Sequence, residues 1–219
     1  MGAITRAAAN NITSSGVILP AGINDASVAS ISALSQVSSG DGITLISSQT
    51  GSGASQINFT TGIDSTYRTY MFKFINIKVS TDAADFGFLT SINGGSSYGV
   101  TTTNTTFRAF HYENDASAGV GYVDSFHLAQ STGLNKLSLN QGNNSDDSYS
   151  GTLHLFSPSS TTYVKHFISC NSNSHDTTTP LIVNNYLAGY VNSTSAVNAI
   201  QFKADSGTFD GTIYMYGIA

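Results

Sequence analysis

From Gly42 to Ala219 the apolar residues fall in short alternating runs bounded by Ser, Gly, Asn or Asp. Nowhere in this stretch do they recur at the spacing of an amphipathic helix. The pattern predicts strands over residues 43–47, 56–60, 67–79, 86–92, 107–112, 119–126, 134–139, 149–156, 163–170, 181–190, 199–203 and 212–218. The run 67–79 carries Tyr70, Phe72 and Phe74 on one face and Met71, Ile75 and Ile77 on the other, as expected of a central strand covered on both sides. Asn93-Gly94, Ser157-Pro158 and Asp210-Gly211 supply turn chemistry between strands, through a left-handed backbone position or a pre-set proline φ. Many short strands without intervening helices predict an all-β, antiparallel two-sheet β-sandwich over residues 42–219.

Residues 1–41 follow a different pattern. The stretch holds no aromatic residue and is built from Ala, Ser, Asn, Gly and scattered aliphatic side chains. Asp25 is placed to cap a short helix carrying Val28, Ile31, Leu34 and Val37 at three-residue spacing. So narrow a stripe needs a neighbouring subunit or a carrier protein to cover it, which reads as an extended N-terminal arm for assembly. The alternatives are a loose leader or a single edge strand.

Composition narrows the function class. Hydrophobic residues make up 40% of the 219 residues, enough for a real core, yet only 10% are charged. Ser, Thr and Asn, about a third of the chain, therefore do the solvating. A neutral polar surface with a net charge of -5 suits fibres, shells and glycan-facing surfaces and argues against nucleic-acid binding. Cys170 is the only cysteine, so packing and hydrogen bonds must hold the fold without an intrachain disulfide. No run has the length of a membrane span, and the first residues lack the apolar core of a signal peptide, so synthesis in the cytoplasm is expected.

Candidate chemistry is thin. Gly95-Ser96-Ser97-Tyr98-Gly99 matches the nucleophile-elbow pattern but sits between strands, where the required strand-to-helix turn is missing. His154 and His166 would face each other as a proton-sensitive pair or weak metal site if residues 157–162 close a hairpin; ordinary hydrogen bonding is the plainer role. Asn143, Asn144, Asp146 and Asp147 offer oxygen ligands to calcium without the order of an EF-hand loop. Acids for glycoside hydrolysis would have to come from Asp64, Asp82, Asp85, Glu113, Asp115 or Asp124. Neither a catalytic residue, a metal ligand set nor a cofactor is assigned, and the expectation is a non-enzymatic protein.

Short segments carry a family resemblance. Residues 4–13, Ile-Thr-Arg-Ala-Ala-Ala-Asn-Asn-Ile-Thr, and 22–28, Gly-Ile-Asn-Asp-Ala-Ser-Val, resemble the N-terminal attachment segments of virion appendage proteins of tailed bacteriophages, especially those of marine bacteria. Residues 63–67, 155–167 and 211–218 are similar to the jelly-roll modules of such proteins. The resemblance implies a lectin-like jelly roll, in homotrimers, localised on the virion as a tail fibre or capsid decoration and made in the host cytoplasm. Its arm, with Ile4, Arg6, Ile12, Ile23, Val28, Ile31 and Leu34, would dock on other capsid or tail proteins, and its loops would meet host-surface glycans. Membrane insertion is not implied. A purely stabilising capsid cement protein and a glycan depolymerase are the alternatives. Sugars stack on aromatic rings beside amides and carboxylates, and Tyr98, Tyr112 and Tyr122, near expected loop ends, are the candidates for such contacts.

Overall fold

The alternating pattern is realised as twelve strands within residues 42–175 and 180–219, the part of the chain that the computed structural model describes. The arm positions, from Ile4 to Leu34, and the helix expected after Asp25 lie outside the described residues. Eight strands build a jelly roll by nested antiparallel pairing, first with last and so inward. β1 (Ile43–Ala54) pairs with β12 (Phe209–Ile218), and β2 (Ile57–Phe59) with β11 (Ala199–Ala204). β3 (Thr69–Val79) pairs with β8 (Tyr149–Phe156), and β4 (Phe86–Ser91) with β7 (Asn135–Lys136). Folding this long hairpin over itself gives the orders β1-β12-β3-β8 and β2-β11-β4-β7 in two sheets.

Two insertions widen one sheet. β5 (Thr102–Tyr112) and β6 (Ala118–Tyr122) lie between β4 and β7, while β9 (Lys165–His175) and β10 (Leu181–Val191) lie between β8 and β11. Both extend the same edge, so the larger sheet has eight strands in the order β1-β12-β3-β8-β9-β10-β5-β6.

The core between the sheets is aromatic. The Phe202 ring lies 5.2–6.4 Å from Phe59, Phe72, Phe74, Phe86 and Phe88, edge-on to Phe59 and Phe74, tilted to Phe72 and Phe88, and stacked with Phe86. Tyr70, Phe72 and Phe74 point into this core as expected, but β3 is not covered on both sides. Met71 and Ile75 are half-buried and Lys73 is exposed on the outer face. Ile77 joins the inner face because the backbone bulges at Asn76, whose φ is 51°, and the shift of register reverses the alternation.

The Asp210-Gly211 pair lies inside β12, opposite that bulge, and is not a turn between strands. Gly211 has φ 122°, and a Cβ there would stand 2.6 Å from the Asn76 carbonyl oxygen, so only glycine fits. The reversal before β12 falls instead at residues 205–208, with Gly207 at φ 72°.

A four-stranded sheet covers only part of an eight-stranded one. Under β9, β10 and β5 the covering layer is the irregular chain of residues 123–148, where the predicted strand 134–139 shortens to β7 and the end of 119–126 becomes a 3-10 turn, Asp124–Phe126. Val123, Phe126 and Leu139 pack there against Leu181 and Val183 in a second, smaller core. Buried loop backbone needs partners, and inward-facing asparagines of the sheet supply them. Asn173 accepts from Leu139 N at 3.2 Å and donates to Leu139 O at 3.0 Å. Asn104 accepts from Leu128 N at 2.8 Å and donates to Asn135 Oδ1 at 2.9 Å.

Candidate functional site

The outer face of the added strands carries the most distinctive surface feature. On β10, Leu181, Val183, Asn185 and Leu187 face inward, while Ile182, Asn184, Tyr186, Ala188 and Tyr190 alternate with them on the outer face. Pairing aligns these with β5 and β9 in rows across the strands: Phe107–Tyr186–Cys170, then Thr105–Ala188–Ile168, then Thr103–Tyr190–His166. The middle row is low over β5 and β10 and the flanking rows are tall, so the surface forms a trough. Its larger part encloses about 500 Å³ beside Tyr190 and His166, and a part of about 330 Å³ adjoins it beside Phe107 and Tyr186.

The walls are ordered. Phe107 and Tyr186 stack with centroids 4.8 Å apart and planes 8° apart, although both rings remain partly exposed. Tyr186 Oη accepts a hydrogen bond from Asn184 Nδ2 at 3.2 Å. On the other side His166 tilts toward Tyr190 at 6.0 Å, and Gln130 Nε2 donates to Thr103 Oγ1 at 2.9 Å and Tyr190 Oη at 3.4 Å. Asn192 Nδ2 in turn donates to Gln130 Oε1. Beneath the trough, Gly189 leaves room for the Phe167 ring, which a Cβ would meet at 2.6 Å. Lys, Arg, Asp and Glu are all missing from the lining. The arrangement offers flat apolar faces edged by amides and hydroxyls, which suits a polar ligand with an apolar side.

The three tyrosines selected from the sequence are not brought together. Tyr122, 75% exposed, stands on β6 opposite Phe107 and so prolongs the Phe107–Tyr186 row to the sheet edge. Tyr112 packs with Phe110 against the second core. Tyr98 turns its hydroxyl toward Gly95, and burial raises its pKa.

The residues 157–162 do connect β8 to β9, and His154 and His166 share the outer face, but they are not opposite one another: His154 pairs with Ile168. His154 lies against the Phe156 ring, and burial lowers its pKa.

The remaining candidates are engaged in local structure. Ser97 Oγ accepts from the Asn93 amide at 2.8 Å, an amide where an elbow serine needs an imidazole. Asp147 Oδ2 accepts from both Asn144 N and Asn144 Nδ2, at 3.0 and 2.9 Å, closing its own loop. Asp64 holds Thr66 N at 2.8 Å, and hydrogen bonds from Thr66 lower its pKa. Asp85 is buried 2.6 Å from Lys136 Nζ, which also lies 3.2 Å from Asp205. None of the six acids considered for hydrolysis lines the trough.

Phe107, Tyr186 and Tyr190 carry no site signal in the sequence, because aromatic residues on strands read first as core. The usable signal is β10's two-residue alternation, which puts both tyrosines on the face opposite Leu181, Val183 and Leu187. In comparison with known proteins, no family model, no curated protein and no solved structure matches the chain.

Proposed function

We propose that this chain is a structural protein of a virus particle that works by contact and not by catalysis, and that its jelly-roll domain holds surface glycans in the trough across β5, β10 and β9. The observation that carries the reading is the pair of aromatic walls, Phe107 with Tyr186 and, facing them, Tyr190, edged by Asn184 and Gln130. Pyranose rings present apolar C–H faces to aromatic rings and direct hydroxyls sideways to amides, so this surface matches their chemistry. The virion setting is supported by the short-segment resemblance and by a surface that relies on neutral polar groups for solvation. A projecting appendage, tail fibre or capsid decoration, makes use of such a face; a cement protein has no need of an open aromatic trough.

The test is binding of the full-length protein to an array of bacterial-surface glycans, beside a Tyr186→Ala variant. Removing one stacked ring is expected to weaken binding about tenfold. Absence of binding by the unaltered protein would overturn the glycan reading.

A further inference from the structure

We infer that the ligand of the trough is an uncharged glycan chain lying across the strands, from β5 over β10 to β9, and that Ala188 is the residue that admits it. This rests on the glycan reading above and adds the ligand's charge, its direction and its gate.

The direction follows from the rows. Outward positions on one strand repeat every second residue, so Tyr186 and Tyr190 are about 13 Å apart along β10, with Ala188 midway. Ala188 is aligned with Thr105 on one side and Ile168 on the other. The depression therefore runs sideways from Thr105 over Ala188 to the exposed Ile168 side chain on β9, while along β10 it is closed at each end by a tyrosine. A linear ligand fits only when it crosses the strands, with a ring wall on either side.

The charge follows from the lining. An acidic sugar brought into contact with these apolar walls would lose hydration without gaining a cation, which is costly. The row of Phe107, Tyr186 and Cys170 does reach a lysine, Lys73, but only after crossing Thr152 on β8, two strands beyond Cys170. Arg108 belongs to the opposite face of β5 and lies over the Phe110 ring. Neutral hydroxyls, by contrast, find partners at hand. Tyr186 Oη and Tyr190 Oη each accept from an amide, which leaves the phenolic proton to donate outward. Because those amides also fix the rings, little side-chain freedom is lost on binding.

The gate follows from size. Ala188 is exposed on the outer face, so a larger side chain there fills the trough without entering the core. The experiment is an array of neutral glycans beside sialylated, sulfated and uronic-acid glycans, read with the full-length protein and with Ala188→Phe, Tyr190→Ala and Lys73→Gln. Neutral glycans are expected to bind, Ala188→Phe and Tyr190→Ala to weaken binding at least about tenfold with an unchanged melting temperature, and Lys73→Gln to have no effect. Should Ala188→Phe fail to fold, Tyr190→Ala carries the test from the opposite side.

Binding confined to acidic glycans, or neutral binding indifferent to Ala188→Phe and Tyr190→Ala, would overturn this inference while leaving glycan contact in place. No binding to either class would overturn both.

Discussion

Asp85 shows how a single residue in this protein balances burial against pairing. Its carboxylate is almost wholly buried, accepts from Asn140 N at 2.7 Å and meets Lys136 at 2.6 Å. Burial nevertheless raises its pKa, and the nearby Asp205 adds to that. For Lys136 burial works against the charge, but the Asp85 and Asp205 carboxylates outweigh it and raise the pKa. An acid with a raised folded pKa contributes most below its ordinary range and loses that contribution as pH rises through the folded value. A lysine with a raised folded pKa contributes fully below its ordinary range and loses that contribution only as pH climbs through its folded value. Lys136→Met strands a buried carboxylate, and a loss of about 3 kcal/mol is expected at neutral pH. In acid Asp85 takes up a proton, so the deficit should shrink; urea denaturation at about pH 4 and pH 7 measures the difference.

At the level of elements, the irregular layer of residues 123–148 depends on side chains that a strand pattern alone marks as solvent-facing. Asn171, Asn173 and Asn185 are buried, and Asn171 Oδ1 accepts from Tyr149 Oη at 2.7 Å. Asn173→Leu removes both hydrogen bonds to Leu139 and leaves buried backbone groups unsatisfied. The expected cost is about 2 kcal/mol, with faster hydrogen exchange at the Leu139 amide while the Phe202 amide stays protected. Equal loss of protection at both sites would show that the layer and the aromatic core open together.

For the whole molecule, nested pairing explains why insertions are tolerated. Each added hairpin leaves the first-with-last pairing of the eight framework strands intact and only prolongs one sheet edge. The result is a wide face in which three strands supply the trough. If the arm drives assembly, the full chain should run as a trimer in light scattering at several concentrations, and the chain from Gly42 onward as a smaller species. Trimers from both would move the subunit contact into the sandwich, and monomers from both would favour a protein ordered only by its carrier.

The sequence by itself determined that the described residues are β-structure and roughly where each strand lies, because alternation between two faces is a local property of extended backbone. The predicted strand 149–156 coincides with β8, and all twelve strands were placed. Departures fall where bulges or buried loops intervene: at Asn76 the parity of β3 reverses, Asp210-Gly211 continues β12 in place of a turn, and along 134–139 side-chain amides replace strand pairing. The tertiary structure alone decided which of a strand's two faces is inside. On β9 the inward set is Lys165, Phe167, Ser169, Asn171 and Asn173, a mixture that reads as solvated, yet burial closes over it and Lys165 Nζ is left to donate to the Ser193 carbonyl at 3.0 Å. On β10 both faces carry large residues, and only pairing with β5 and β9 turns Tyr186 and Tyr190 outward beside Phe107 and His166. Those pairings join residues up to 89 positions apart, and no local pattern encodes them.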